Sequence, residues 1–358
     1  GAAELYAVGI EKGHTPSMVR YALLNLTGGE GIDKDEGQAF SLLRQAADKG
    51  DASAMAELGN LYLNGRGVDK DSAEALQLFK RAASLGSPLG ANNLGQMYQL
   101  GNGVAKNPAE AFVQYREAAR SGLPEAMFNL AQMMEKGVGT TRDIGEAVQW
   151  YKLAADKGHA PSASALGKLY EFGEGVDKDL AGAARSYQAA ADAGDPAGLT
   201  SLAYLYEQGK GVDKDPTKAA SLYAKAAEGG DPRAMFNLAS MLHDGRGVNP
   251  DDAEAARLYT KAAALGHAAS MRGLAVLYEE GKGVGRNPRK AAEYLLMAYK
   301  AGHKDTRGEL NQRGEPWSQA TRREIQAILK KAGIFKGKVD GAFGAPTSAA
   351  LKAWLVHL

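Results

Sequence analysis

The sequence has no cysteine. Disulfide staples, thiolate zinc sites and sulfur redox chemistry are therefore excluded. The absence suits an exported bacterial protein and a cytoplasmic one alike. No run of about 18 apolar residues occurs either, so nothing in the chain is built to cross a bilayer as a helix. No leader segment is visible, and the chain opens Gly-Ala-Ala without methionine, so targeting information is expected upstream of Gly1. Aromatics make up only 7%, and β-branched residues are scarce beside alanine, which favours helix over strand. Net charge is nearly absent as well. A total of +1 over 358 residues argues against a nucleic-acid polyanion as partner.

That total hides an asymmetry. From Lys304 onward ten Lys/Arg stand against five Asp/Glu, a surplus of +5, while residues 1–303 carry −4. The C-terminal piece is basic and the remainder mildly acidic.

What the chain does have is a repeat. The pattern G-x-G begins at Gly29, Gly65, Gly101, Gly137, Gly173, Gly209, Gly245 and Gly281, each 36 residues after the last. Alanines from Ala39 to Ala291 and from Ala46 to Ala298 keep the same phase, as do glycines from Gly50 to Gly302. Repetition without an insertion marks one array. Within a unit the spacing predicts two helices. In "ASAMAELGNLYLNG", Met55, Leu58, Leu61 and Tyr62 share one helical face, and the glycine that follows suits a left-handed C-cap. Six residues past each first glycine stands Asp or Asn (Asp35, Asp71, Asn107, Asp143, Asp179, Asp215, Asp251, Asn287), a row of N-caps for the second helix. That helix pairs an alanine with a large residue four positions on, such as Phe79 or Tyr115, so that neighbours approach closely and still fill volume.

The pattern closely resembles the Sel1-like repeat family, relatives of tetratricopeptide repeats. The resemblance covers residues 15–303 and implies an all-α fold: a right-handed αα superhelix, or solenoid, of about eight 36-residue repeats. It implies a scaffold that binds proteins and performs no chemistry of its own. The first unit is irregular in "SMVRYALLNLTGGEG", as expected at a solenoid end, and residues 1–14 are expected to form an N-terminal capping helix.

Other readings of the loops and histidines fail. "GRGVDKD" (65–71) lacks the lysine and hydroxyl residue of a phosphate loop and the acid spacing of a calcium loop; it is a turn. His159, His267 and His303 share the slot that elsewhere holds Asp51, Asp195 and Asp231, which reads as solvent-facing turn. No H-E-x-x-H or G-x-S-x-G occurs. No enzyme activity, catalytic residue, metal or cofactor is expected.

The first helices line the concave side in this superfamily. Two phases on them carry polar side chains: Asn93, Asn129 and Asn237 in one, Gln96, Gln132 and Tyr204 in the other. Amides donate and accept at once, so such a ladder suits an extended peptide backbone; solvated polar positions are the equal alternative.

Carried forward, the 36-residue register calls for glycine at 317, but Trp317 stands there. The array has ended, and residues 304–316, with Gly308, Gly314 and Pro316, read as a linker. After it, "TRREIQAILKKAGIFKGKVDGAFGAPTSAALKAWL" gives two amphipathic helices around a glycine-rich loop, a small piece that leans on the last repeat. Ile325, Gln326, Leu329, Gly333, Phe335, Gly337, Asp340, Gly341, Phe343, Gly344, Thr347 and Leu351 match, in order, the peptidoglycan-binding domain 1 family, which residues 317–358 resemble. The resemblance implies wall binding through Phe335, Asp340, Phe343 and Thr347. Asp340, Phe343 and Thr347 serve equally well as turn-shaping residues. The local +5 charge suits an anionic wall polymer.

Together the two modules resemble the periplasmic part of PodJ-type polar localization factors of alphaproteobacteria. That implies a periplasmic ectodomain behind one membrane span, with protein partners on the solenoid, peptidoglycan on the tail, and a role in cell polarity. The alternative is a secreted or cytoplasmic Sel1-like adaptor whose tail only caps the solenoid.

Overall fold

The computed structural model describes residues 2–29 and 31–356; Gly1, His357 and Leu358, at the edges of the expected terminal segments, lie outside them. Among the described residues every regular element is an α-helix, twenty in all. Residues 1–178 and 179–358 form two compact units.

The first unit opens with α1 (Ala2–Glu11), α2 (Thr15–Thr27), α3 (Glu36–Asp48), α4 (Ala52–Asn64) and α5 (Ser72–Ser84). It continues through α6 (Pro88–Leu100), α7 (Pro108–Arg120), α8 (Pro124–Lys136), α9 (Ile144–Asp156) and α10 (Ala160–Phe172). The second holds α11 (Leu180–Asp192), α12 (Pro196–Gln208), α13 (Pro216–Glu228), α14 (Pro232–Asp244) and α15 (Asp252–Ala264). After these come α16 (Ala268–Glu280), α17 (Pro288–Lys300), α18 (Lys304–Asn311), α19 (Gln319–Lys331) and α20 (Ala345–Trp354). Within each unit, consecutive helices as far as α17 pack against one another as hairpins; beyond it α19 packs on α17, and α18 on α20.

The caps follow the sequence pattern. Each Asp or Asn of the expected row accepts a backbone N–H of the first turn it precedes, as Asp71 does from Ala73 and Glu74 and Asp143 from Glu146. The first glycine of the regular loops takes the left-handed conformation, φ 65° at Gly137. The second takes the same conformation, φ 72° at Gly139, and has a further reason to be glycine. A Cβ on Gly139 would sit 2.2 Å from the Pro108 carbonyl oxygen of the preceding repeat, and one on Gly211 would sit equally close to that of Leu180. Backbone meets backbone there, and the spacing of the stack depends on it.

The core alternates small and large. Ala111, Ala147 and Ala219 are fully buried beside Tyr115, Tyr151 and Tyr223. Burial raises the pKa of all three phenols far above its usual value. Each hydroxyl donates to a side chain on the preceding helix: Tyr115 to Gln99 at 2.7 Å, Tyr151 to Glu135 at 2.6 Å, Tyr223 to Glu207 at 3.1 Å.

The stretch 304–316 is not a simple linker. It holds α18, N-capped by His303, and Leu310 on it is fully buried. Leu310 is the next member of the row Leu58, Leu94, Leu130, Leu166, Leu202, Leu238, Leu274, so α18 is a shortened first helix that continues the array before it stops. Trp317 then closes the stack. It is buried, donates its indole N–H to Glu309 at 3.1 Å, and lies beside Arg272, which pairs with the same carboxylate at 2.6 Å. Leu295, Leu296 and Tyr299 share one core with Trp317, Ile325, Leu329, Phe335 and Leu351, so the C-terminal piece is fused to the last repeat through apolar burial.

Candidate functional sites

Two surfaces gather the residues that the sequence singles out. On the first helices of the first unit, an amide chain crosses three repeats. Asn129 on α8 donates to Asn92 on α6 at 3.0 Å. Asn92 donates to Asn93 at 3.4 Å, Asn93 to Asn60 on α4 at 2.8 Å, and Asn60 to Glu57 at 3.2 Å. Asn93 is only 8% exposed, so its amide ties repeats together instead of standing free. Gln96 is exposed and Gln132 half-buried; these keep their amides at the surface. Asn92 was not among the residues the sequence pointed to, and its only signal is the doublet in "GANNLG".

In the second unit Tyr204 is 37% exposed, and Lys210 donates to its hydroxyl at 2.9 Å. Asn237 is half-buried and reaches the Tyr223 hydroxyl. Close by, Phe236, Tyr259, Gly273, Arg272, His243 and His303 line a hollow of 270 Å³.

The histidines of the shared slot differ from expectation: they are half-buried helix caps, not solvent-facing turns. The His159 ring lies 5.2 Å from Phe128 and the His267 ring 5.3 Å from Phe236. His159 Nδ1 is 2.8 Å from Ser162 Oγ, and His267 and His303 make the same contact with Ser270 and Thr306. Burial lowers the pKa of all three. No group of three or more metal-ligating side chains occurs among the described residues.

The second surface is the loop between α19 and α20. Gln326, projecting from α19, organises it. Its carbonyl accepts the N–H of Asp340 at 3.0 Å and of Gly341 at 2.8 Å. Its amide donates to the Ala342 carbonyl at 2.9 Å and to Thr347 Oγ1 at 3.2 Å. Asp340 Oδ1 accepts the Ala342 N–H at 2.9 Å, a bond that holds its carboxyl below the usual carboxylate range. The N-terminal end of α19, opposite the end from which the loop leaves, is moored to the repeats: Glu279 on α16 accepts from the Ser318 N–H at 3.1 Å and from the Thr321 hydroxyl.

Phe335, Asp340, Phe343 and Thr347 all line one hollow of 220 Å³ here, with Gln326, Lys338 and Pro346. They do not contribute alike. Phe335 and Thr347 are buried and form its floor, whereas Asp340 and Phe343 are half-buried at its edge and Lys338 is exposed. Gln326 is the residue missed as part of this site. Its signal in the sequence was a glutamine set among Ile325 and Leu329 on the apolar side of an amphipathic helix.

The family described as Sel1 repeat matches eight consecutive segments: residues 15–51, 52–87, 88–123, 124–159, 160–195, 196–231, 232–267 and 268–303. Among solved structures, c5321, a protective antigen of uropathogenic Escherichia coli strains displaying an SLR fold, is 30% identical with a TM-score of 0.71; the match covers 98% of this chain and 78% of that one. A Sel1 repeat protein from Oxalobacter formigenes is 36% identical with a TM-score of 0.64, covering 69% of this chain and 99% of that one. No curated protein matches the chain.

Proposed function

We propose that this chain, which belongs to the Sel1 repeat family, is a non-enzymatic periplasmic scaffold that holds protein partners on its first helices and peptidoglycan on its C-terminal module, in the organisation of a cell pole. The repeat array supports the scaffold part, since stacked hairpins offer a long surface whose polar side chains change from unit to unit. The observation that carries wall binding is the hollow that brings Phe335, Asp340, Phe343 and Thr347 together in a segment with a surplus of five positive charges. Arg323, Lys330, Lys331, Lys336 and Lys338 are all exposed in it, the arrangement expected for an anionic polymer. The periplasmic and polar assignments rest on the order of the two modules.

A second reading is favoured by the core shared between Trp317, Ile325, Leu351 and the last repeat: the module is a cap, and the chain an adaptor. Sedimentation with purified sacculi separates the two. The full chain is expected to pellet with sacculi, and a variant with Arg323, Lys330 and Lys331 changed to glutamate is expected to stay in solution. Equal behaviour of both proteins favours the cap. Release of soluble fragments from the sacculi would overturn the non-enzymatic assignment.

A further inference from the structure

Building on the wall-binding reading above, we propose that the C-terminal hollow takes the free zwitterionic end of a stem-peptide diamino acid, an ammonium and a carboxylate on one carbon, and not a sugar of the glycan strand. Three features of the hollow point there.

The first is size. At 220 Å³ it lies below the roughly 300–1,000 Å³ of pockets that enclose a drug-sized ligand. The end of one amino-acid side chain fills such a space, whereas most of a disaccharide would lie outside it.

The second is charge. Lys338 and Asp340 line the hollow together, two residues apart in one turn. Lys338 is exposed. Asp340 accepts the Ala342 N–H and also meets the Gln326 side chain; a carboxylate has about four lone-pair sites, which leaves acceptor capacity for an ammonium. Neutral N-acetyl sugars offer such a pair nothing in return for its desolvation. A carboxylate alone would meet Lys338 but be repelled by Asp340. A zwitterion answers both charges with charge-assisted bonds.

The third is the wall. Phe343 and Pro346 flank the charged pair and offer apolar surface to the methylene chain that leads to the zwitterion. Acylation of the ammonium, as in a cross-linked stem, removes the charge Asp340 would read and adds bulk, so the hollow selects uncross-linked ends.

The test uses the full chain and three probes: an alanyl-γ-glutamyl tripeptide ending in meso-diaminopimelate, its counterpart ending in lysine, and the N-acetylglucosamine–N-acetylmuramic acid disaccharide with its lactyl carboxyl amidated, as the stem leaves it in the wall. The lysine tripeptide keeps the ammonium and lacks the neighbouring carboxylate. Calorimetric titration is expected to show binding of the diaminopimelate tripeptide, about tenfold or more weaker binding of the lysine form, and none of the disaccharide. Asp340→Asn keeps an oxygen for the Ala342 N–H, so the turn and the melting temperature are expected to stay, while tripeptide affinity falls by about tenfold or more. Lys338→Gln is expected to do the same. Equal binding of the two tripeptides, binding of the disaccharide, or unchanged affinity in folded Asp340→Asn overturns the assignment. A chain that pellets with sacculi but ignores the tripeptides overturns it and leaves wall binding intact. Failure to pellet at all removes wall binding and the zwitterion with it.

Discussion

The side-chain carbonyl of Gln326 accepts the Gly341 N–H at 2.8 Å from 15 residues away in sequence, and the same carbonyl takes the Asp340 N–H. One buried carboxamide therefore fixes the height of the whole loop. Gln326→Leu removes it without changing the bulk much and orphans two N–H groups and the Ala342 carbonyl. Of these only the Gly341 N–H is buried, and leaving it unsatisfied costs about 1–3 kcal/mol. The expected outcome is a lower urea midpoint and altered amide resonances at residues 340–342. A midpoint equal to that of the native chain would show the loop is held by something else.

Leu310 tests whether α18 is part of the array. As a fully buried member of the leucine row, its change to alanine is expected to cost about 2–5 kcal/mol. A linker residue would cost under about 0.5 kcal/mol. Chemical denaturation followed by tryptophan fluorescence reads the difference, because Trp317 belongs to the same core as Leu310.

Asn93 and Gln96 sit one helical turn apart and separate structural from available amides. Asn93→Ala breaks the chain between Asn92 and Asn60 and is expected to cost about 1–3 kcal/mol. Gln96→Ala, at an exposed site, is expected to stay within about 0.5 kcal/mol. Thermal melts of the two variants side by side check this. If a protein partner uses this face, Gln96 and Gln132 are the positions where affinity falls without loss of stability.

Stability should also depend on mild acid. Burial holds His159, His267 and His303 below the ordinary imidazole value of 6.5, so the unfolded chain takes up these protons first as pH falls. Their contribution is fully present above pH 6.5 and is lost below it, until the lowered folded-state values are passed. An imidazolium at a helix N-terminus also opposes the helix dipole. Melting temperature is expected to drop between pH 7.5 and 5.5, and His267→Asp, the residue other repeats use in that slot, is expected to flatten part of the drop. A slope unchanged by His267→Asp would assign it to other groups.

The regular part of the fold was legible because its signals are local. An Asp such as Asp71 before a helix and a glycine such as Gly137 after one act through neighbouring backbone groups, and eight copies reinforce each other. The expectation at 304–316 went wrong because Gly308 and Gly314 draw attention to chain flexibility, while the leucine at 310 carries the register alone. Histidine burial was not legible either. His159 and His267 are covered by Phe128 and Phe236, aromatic side chains that sit far off in sequence. At the C-terminal hollow the motif residues were legible as a set. Which of them form the floor and which the edge depends on Gln326, whose role appears only once α19 and the loop are folded together.

The chain of amides from Asn129 to Glu57 has a sense of direction. Every member donates toward the carboxylate end. Rotating any single amide by half a turn would set two carbonyls, or two NH₂ groups, against each other, so the four can reverse only in concert, and Glu57, which has no proton to give, forbids even that. Two ends of an otherwise repetitive surface are thereby made unlike, a charged carboxylate at one and a neutral amide at the other. A polypeptide lying along it would meet a polarity, and could tell one orientation of itself from the reverse.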